Sequence, residues 1–295
     1  MKGLTKEAPA APPADRYFTS DGLKLHYAEW GEPGHDALIL VHGIRDQSRS
    51  WDFFVGALLA QTDHPLHVVA LDLRGHGDSQ WSTPERGYRH EDFILDLAGL
   101  SRHLNKDSLT LIGHSLGGNM AMLFAGCFPA QVKQLVLIEA AGPYARADKD
   151  IPELLARWLQ VDGEGSRNSC YATVEEAAGV IRNRFPNIPD EAALHMARYG
   201  TRPAQEGLVW KYDPRVRLPS FSSFSEGQVR AFIERIDCPT LLIYGGGGDF
   251  MKSPRASRMA LFKNSDLVGL SGSGHHVPHE KPEELARVVR SFLIE

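Results

Sequence analysis

The sequence SLTLIGHSLGGNMAMLFAGCF, residues 108–128, decides the fold of this chain. A short apolar run, typical of a buried strand, leads directly into GHSLG at 113–117. A helix-forming run rich in Ala, Met, Leu and Phe follows without a break. Strand, sharp turn and helix in this order form the context in which a serine within G-x-S-x-G acts as a nucleophile. The stretch therefore predicts that Ser115 is the nucleophile of an active site.

The two glycines of this turn have a steric role. A serine in such a tight turn has a strained backbone, and Gly113 and Gly117 lack the Cβ that would clash with the neighbouring strand and helix. We expect the turn to raise the serine hydroxyl above the sheet. The N-terminus of the helix then directs its partial positive charge at the same point.

A serine hydroxyl is a weak nucleophile until a neighbouring base takes its proton. The sequence GSGHHVPH at 272–279 offers His275, which follows a predicted strand and a glycine-rich turn. We predict that His275 is this base, and that His276 and His279 have packing or capping roles. Their H-H-x-x-H spacing is also compatible with a metal site, but no cluster of Cys or carboxylates supports one. We therefore predict no metal, and no cofactor, since no dinucleotide fingerprint or P-loop occurs.

Short apolar runs alternate with segments of helical spacing along most of the chain. The runs lack polar alternation, which favours strands that are covered on both faces of a mostly parallel sheet. Seven strands are predicted, over 23–30, 37–43, 66–73, 108–114, 134–140, 240–245 and 266–270. Helices are predicted over 50–61, 90–104, 116–128, 253–262 and 281–293.

The alternation stops over residues 144–233, where helical patches occur without a clear strand. We predict that this stretch is a helical cap, inserted into an α/β core made of residues 16–143 and 234–295. Residues 1–15, MKGLTKEAPAAPPAD, are rich in Ala and Pro, and we expect them to form a flexible leader.

Composition restricts the class of partner. The 295 residues have a net charge of −5, and the basic residues are scattered, so we predict no nucleic-acid partner. No run of eighteen apolar residues occurs, which predicts no membrane span. The three cysteines are far apart and form no CxxC pair, as expected for reduced thiols. Together with the lack of an apolar secretory stretch near the N-terminus, this predicts a cytoplasmic protein.

Four motifs together resemble the α/β-hydrolase superfamily, and specifically its esterase-like members with a helical cap. They are HG at 42–43, DLRGHGDS at 72–79, GHSLG at 113–117 and GSGH at 272–275. The resemblance extends from about Tyr17 to Ile294. It implies an α/β fold with a mostly parallel eight-stranded sheet, helices on both faces and an inserted helical cap.

The resemblance also implies an oxyanion hole made of two backbone N–H groups, those of Ile44 and Leu116. Such donors stabilise the charge that develops on a tetrahedral intermediate. The candidate substrate contacts nearby are His42, for which a structural role in the loop is the alternative, and His114, beside the nucleophile. Arg45 is a further candidate, which either meets a substrate carboxylate or forms a surface salt bridge.

Aromatic side chains in the cap are candidates for shaping an apolar substrate pocket. The cap holds Trp158, Tyr171, Phe185 and Trp210 among others. We select Trp158 as the substrate contact, and core packing of the cap is the alternative role for most of these aromatics.

The acid that orients the base has two candidates. In the superfamily this carboxylate usually follows the strand at 240–245, where the chain has Asp249 after four consecutive glycines. Some members place it after the preceding strand of the core, where the chain has Glu139. The order and position of Asp249 suit the role better, and we predict Asp249 as the acid with Glu139 as the alternative.

The resemblance implies a hydrolase that acts on a small ester, thioester or lactone. Haloalkane dehalogenases and epoxide hydrolases of this fold have an aspartate where Ser115 stands, which argues against both. Carbon–carbon bond hydrolases, perhydrolases and thioesterases use the same Ser–His–acid set and remain alternatives, because fold does not dictate function. A ligand-binding receptor with little turnover is the alternative from outside enzymology. Carboxylesterase activity on a small-molecule ester is the prediction.

Overall fold

The computed structural model describes residues 12–62, 64–83, 87–106, 108–160, 168–218, 223–246 and 250–294. The strands in these ranges are β1 (Ala14–Ser20), β2 (Leu23–Gly31), β3 (Ala37–Val41), β4 (His67–Leu71), β5 (Leu109–His114), β6 (Val132–Ile138), β7 (Cys170–Tyr171), β8 (Thr201–Ala204), β9 (Gly207–Trp210), β10 (Thr240–Gly245) and β11 (Ser265–Leu270). The α-helices are α1 (Asp52–Ala60), α2 (His90–Leu104), α3 (Leu116–Cys127), α4 (Ile151–Leu159), α5 (Val174–Arg184), α6 (Asp190–Gly200), α7 (Glu226–Ile233), α8 (Val277–Glu280) and α9 (Pro282–Ile294).

Eight strands form one sheet in the order β1-β2-β4-β3-β5-β6-β10-β11. The neighbours β1 and β2, and β2 and β4, are antiparallel, whereas every pair from β4 to β11 is parallel. The predicted mostly parallel, eight-stranded sheet is confirmed, and each of the seven predicted runs contains a strand. The carboxyl ends of β5, β6, β10 and β11 meet at one edge, which is where ligands bind in open α/β sheets.

Helices cover both faces of this sheet. Alternate side chains of β3 point to opposite faces of the sheet, and all five residues are buried because both faces are covered. Ile39 and Val41 belong to a core shared with α2, α3 and α7, whereas Leu38 and Leu40 belong to a second core shared with α1 and α9. Each face is therefore sealed from water, which explains why the central strands have apolar runs rather than polar alternation.

The strand β1 was not predicted from the sequence. It pairs with β2 at the edge of the sheet, and only Phe18 and Ser20 of its seven residues are buried. The hairpin turns through Asp21 (φ 49°) and Gly22 (φ 79°), and this D-G pair with two positive φ angles is typical of a tight hairpin turn. Because β1 begins at Ala14, the leader ends earlier than residue 15. Residues 1–11 lie outside the described part of the chain.

The expectation of a purely helical cap is wrong. The cap contains a second sheet of three short antiparallel strands in the order β7-β9-β8, packed beside α5 and α6. These strands are two to four residues long, too short to give a recognisable alternation. In addition, α7 packs against the main core through Val229 and Ile233, although the predicted boundary assigned it to the cap.

One predicted helix differs in kind from the observed segment. The segment predicted as a helix over 253–262 is a 3-10 helix, Pro254–Leu261, and a short 3-10 turn, Ser48–Trp51, precedes α1. Within the described ranges, no helix combines the length and apolar character that crossing a membrane requires.

Candidate active site

Ser115 lies in the turn between β5 and α3, as predicted. Its backbone has φ 53° and ψ −113°, which is strained for a residue with a side chain. The surrounding glycines make this turn possible. A Cβ on Gly113 would lie 2.5 Å from the Cα of Gly118, and one on Gly117 would lie 2.1 Å from the carbonyl oxygen of Val41. The Ser115 N–H donates to the carbonyl of Ile138 at 2.9 Å and ties the turn to β6.

The imidazole of His275 lies beside this hydroxyl. Its Nε2 is 3.0 Å from the Ser115 Oγ, within hydrogen-bonding distance for proton transfer. His275 occupies the loop between β11 and α8, as predicted. The Nε2–H of His114 donates to the His275 carbonyl at 2.8 Å, and the Glu280 carboxylate accepts from the N–H groups of Gly274 and His276. These bonds fix the loop on both sides of the base.

Glu139 supplies the carboxylate on the other side of the imidazole. Its Oε2 is 3.1 Å from the His275 Nδ1, and its Oε1 accepts the N–H of Gly245 at 2.6 Å. The Glu139 side chain is 1% exposed. Glu139 is the first residue after β6, and its backbone has a positive φ of 55°. A carboxylate acceptor requires the proton to be on Nδ1, so that Nε2 faces Ser115 as an acceptor. Asp249, the acid preferred from the sequence, lies outside the described residues.

A cavity of about 270 Å³ opens above these side chains. This is slightly below the range of roughly 300–1,000 Å³ that is common for ligand pockets, so a small ligand fits best. The core contributes the loop after β3, the nucleophile turn and the histidine loop. The cap contributes α5, α6, the end of β9 and Tyr212, two residues after β9. The lining residues are Gly43, Ile44, Arg45, Asp46, Gln47, His114, Ser115, Val180, Ile181, Arg184, Phe185, Met196, Gly200, Trp210, Tyr212, His275 and His276.

The residues predicted for the oxyanion hole border the reacting hydroxyl. Leu116 directly follows Ser115 as the first residue of α3, where a backbone N–H has no partner within the helix. Ile44 lines the cavity, and Gly43 before it packs so closely that a Cβ there would lie 3.5 Å from the Ser115 Cβ. Both residues are therefore next to Ser115, Leu116 in sequence and Ile44 through the packing of Gly43.

Of the four predicted substrate contacts, His114 and Arg45 line the cavity, whereas His42 and Trp158 do not. His42 is buried, accepts the Leu73 N–H at Nε2 and has its Nδ1 2.7 Å from the Gly43 carbonyl, so it holds the loop rather than a ligand. Trp158 is 46% exposed on α4, a helix without buried residues. Phe185 and Trp210 are the cap aromatics that reach the cavity.

Burial keeps the imidazoles around the base neutral. It holds the side-chain pKa of both His114 and His276 well below the usual value, and neighbouring histidines add to the effect. Burial also raises the pKa of the Asp46 carboxyl to about 7. The pKa of Arg45 is lowered by burial and by the positive charge of Arg184. The cavity therefore has two arginine charges and no strongly basic histidine beside the reacting pair.

Several lining residues were missed from the sequence. His276 also lines the cavity, although the sequence analysis assigned it a packing or capping role. Arg184 and Tyr212 carry no motif, and their spacing within the cap gives no periodic signal. They reach the cavity because α5 and β9 fold over the sheet edge, which is a property of tertiary structure alone.

One group within the described ranges has metal-ligand geometry, namely His26, Asp72 and Asp78. The ligand atoms of this group already take part in hydrogen bonds within the protein. The Asp72 carboxylate contacts His26 at 2.7 Å and accepts the N–H groups of Ser48 and Asp78. These bonds account for the cluster as structural support of the DLRGHGDS turn.

Comparison with known proteins gives matches along most of the chain. The model of the alpha/beta hydrolase family matches residues 38–288. A probable serine hydrolase of Drosophila melanogaster is 28% identical, covering 90% of this chain and 83% of its own. The 2-(acetamidomethylene)succinate hydrolase of Mesorhizobium japonicum is 25% identical, covering 89% and 90% respectively. The solved structure of hypothetical protein PA1622 from Pseudomonas aeruginosa PAO1 superposes with a TM-score of 0.87 at 26% identity, covering 95% of this chain and 99% of that one.

Proposed function

Because the chain belongs to the alpha/beta hydrolase family, we propose that it is a serine hydrolase that cleaves small carboxylic esters, with Ser115, His275 and Glu139 as its triad. The observation that carries the proposal is the pair of contacts linking the three side chains, 3.0 Å from Ser115 to His275 and 3.1 Å from His275 to Glu139. Nucleophile, base and orienting acid are thus connected by hydrogen bonds, and no side chain has to move for the proton to pass from Ser115 to His275.

In the proposed reaction the Ser115 Oγ attacks the ester carbonyl carbon while its proton passes to the His275 Nε2. The backbone N–H groups of Ile44 and Leu116 stabilise the oxyanion. The intermediate then collapses, the C–O bond breaks and the leaving alkoxide takes the proton from Nε2. Water, deprotonated by the same nitrogen, cleaves the acyl-enzyme and restores the hydroxyl. Glu139 stays ionised and stabilises the imidazolium.

The cavity limits the size of the substrate. Its volume of about 270 Å³ and its apolar side chains from the cap, among them Ile181, Phe185 and Trp210, support a short acyl group. We propose esters first, and thioesters or lactones as substrates of the same chemistry. The cap segment 144–233, except for α7, is proposed as the part that determines substrate choice. The free thiols of Cys127, Cys170 and Cys238 support a reducing, cytoplasmic location.

Hydrolysis of p-nitrophenyl acetate and butyrate tests this proposal. We expect Ser115→Ala and His275→Ala each to lower kcat/KM by roughly 10,000-fold or more. Ser291→Ala, on the exposed side of α9, is the matched control and should keep the wild-type rate. Binding of a small ester without Ser115-dependent turnover would instead indicate a receptor.

A further inference from the structure

Two arginines share the cavity with the proposed nucleophile. Arg45 follows Ile44 directly and is half-buried, with a positive φ of 63°. Arg184 is the last residue of α5 and lies exposed at the mouth of the cavity. One arginine therefore comes from the core and the other from the cap, and they face the same space.

Among the described residues, neither guanidinium has a carboxylate partner: no ion pair there involves Arg45 or Arg184. The guanidinium of Arg184 lies over the ring of Phe185, 5.3 Å from its centroid. Several other partly buried arginines here are paired with a carboxylate, for example Arg49 with Asp52 and Arg215 with Asp213. A partly buried charge is usually paired, because desolvation is costly. Arg45 departs from that pattern.

The only carboxyl group among the described lining residues does not neutralise the pair. Asp46 is buried with its carboxylate 3.7 Å from the His279 Nε2, and among the described residues it forms no ion pair with either arginine. Burial raises its pKa to about 7, so that it is largely protonated below neutral pH. The cavity as described thus holds an excess of positive charge.

Tyr212 completes the arrangement. It lines the same cavity as Arg45 and Arg184. Burial raises its pKa, and the positive charges of Arg217, Arg45 and Arg184 oppose that rise. Arg45, Arg184 and Tyr212 offer N–H and O–H donors and no negative charge. Arginine donors in a fork match a carboxylate in two parallel hydrogen bonds, and such charge-assisted bonds are the stronger class.

We propose that Arg45, Arg184 and Tyr212 form a carboxylate subsite, and that the substrate is a half-ester of a short dicarboxylic acid. The inference rests on the proposed ester hydrolysis. Arg45 is one residue from Ile44, whose N–H would hold the scissile carbonyl oxygen, so the second carboxylate belongs to the acyl portion. The small volume of the cavity keeps the chain between the two carbonyl carbons short.

A pair of esters with the same leaving group tests the subsite. The p-nitrophenyl half-ester of adipic acid and p-nitrophenyl hexanoate both have six-carbon acyl groups and differ in the terminal carboxylate. We expect the wild-type protein to have a kcat/KM at least about tenfold higher for the half-ester. Arg45→Gln and Arg184→Gln should each lower the ratio of the two kcat/KM values, by roughly 10- to 100-fold for Arg45. Arg182→Gln, on the same helix but paired with Asp190, is the control and should keep the ratio.

Binding of free adipate to Ser115→Ala, measured by calorimetry, separates the two claims. We expect binding that weakens at least about tenfold when Arg45→Gln is added. If both esters are cleaved with equal kcat/KM and adipate does not bind, the subsite is wrong while the ester hydrolysis stands. If adipate binds through Arg45 but no ester is cleaved, the hydrolysis is wrong while the subsite stands.

Discussion

Glu139 and His275 are 136 positions apart in sequence, and yet the Glu139 Oε2 lies 3.1 Å from the His275 Nδ1. The sheet order explains this contact, because β6 is next to β10 and β10 is next to β11, and all three run parallel. Their carboxyl ends therefore project Glu139 and the histidine loop to the same edge. The second oxygen of Glu139 is held by the Gly245 N–H, so the carboxylate has a fixed direction.

We predict that Glu139→Gln lowers kcat by at least about 1,000-fold. An amide in place of the carboxylate no longer favours the proton on Nδ1 or stabilises the imidazolium. The comparison variant is Asp249→Asn, which removes the other candidate acid. It should lower kcat by less than about tenfold in the same assay. The reverse order of effects would assign the acid to Asp249.

Gly117 should not tolerate a side chain. In Gly117→Ala the new Cβ would lie 2.1 Å from the Val41 carbonyl oxygen, a backbone atom that cannot move away alone. We expect the free energy of unfolding, measured by urea titration, to fall by about 2 kcal/mol or more. Gly34→Ala has no heavy atom within 4 Å of its Cβ and is the control, with an expected change below about 0.5 kcal/mol. Equal stability of the two variants would show that the turn is not constrained as described.

The ion pair between Arg74 and Asp96 should contribute strongly to the stability of the core. Both side chains are fully buried, and two hydrogen bonds of 2.7 and 2.6 Å join them. We expect Asp96→Asn to lower the free energy of unfolding by about 3 kcal/mol, because it removes the charge that is hydrogen-bonded to a buried guanidinium. The remaining carboxylates, Asp92 and Asp21, lie 3.5 and 3.9 Å from Arg74. Asp36→Asn breaks the exposed pair with Lys133 and should cost less than about 1 kcal/mol. A cost for Asp96→Asn as small as that of Asp36→Asn would contradict this.

Acid should destabilise the fold through its buried histidines. Burial lowers the pKa of five buried imidazoles in the folded protein, and for His76 and His279 it falls to about 3. In the unfolded chain a histidine has a pKa of about 6.5. Between those values the unfolded state holds more protons, so stability falls as the pH falls, by about 1.4 kcal/mol per group and pH unit. The rings with this shift are those of His42, His76, His114, His276 and His279.

Asp46 acts in the opposite direction. Its pKa of about 7 means that the folded state takes up a proton there before the unfolded state does, so its contribution rises as the pH falls below 7. Two further groups act in the same direction as Asp46: against the effect of burial, hydrogen bonds to Asp72 and Asp15 raise the pKa of His26, and burial raises that of Asp96. Five imidazoles outweigh these three groups. We expect the free energy of unfolding to be lower at pH 5.5 than at pH 7.5 by at least about 1 kcal/mol, and nearly constant from pH 7.5 to 8.5. Higher stability at pH 5.5 would show that these rings are charged in the folded protein.

The sequence predicts the central strands, the nucleophile turn and the base, because each has a local signal. The elbow at Ser115 combines strand, glycines and helix within a short stretch, and His275 follows its strand through a glycine-rich turn. The triad acid is harder to predict from the sequence. Both candidates, Asp249 and Glu139, follow a core strand, and the local sequence does not show which carboxylate contacts the imidazole. The edge strand β1 was missed because most of it faces water, so that its sequence has no apolar run.

The pocket could not be predicted from the cap sequence. Trp158 was selected as one of the cap aromatics, but α4 has no buried residues and Trp158 does not line the cavity. Arg184 and Tyr212 reach the cavity only because α5 and β9 pack over the sheet edge, and their sequence context resembles that of any surface residue. Tertiary packing decides these positions.

The most direct test of the account is labelling with a fluorophosphonate, which reacts with a serine hydroxyl activated by a base. We predict that one equivalent of label adds to the wild-type protein by intact mass, that peptide mapping locates it on Ser115, and that Ser115→Ala abolishes it. His275→Ala should slow the labelling by at least about 100-fold. Absence of labelling in the folded wild-type protein, or a label on another serine, would contradict the proposed nucleophile.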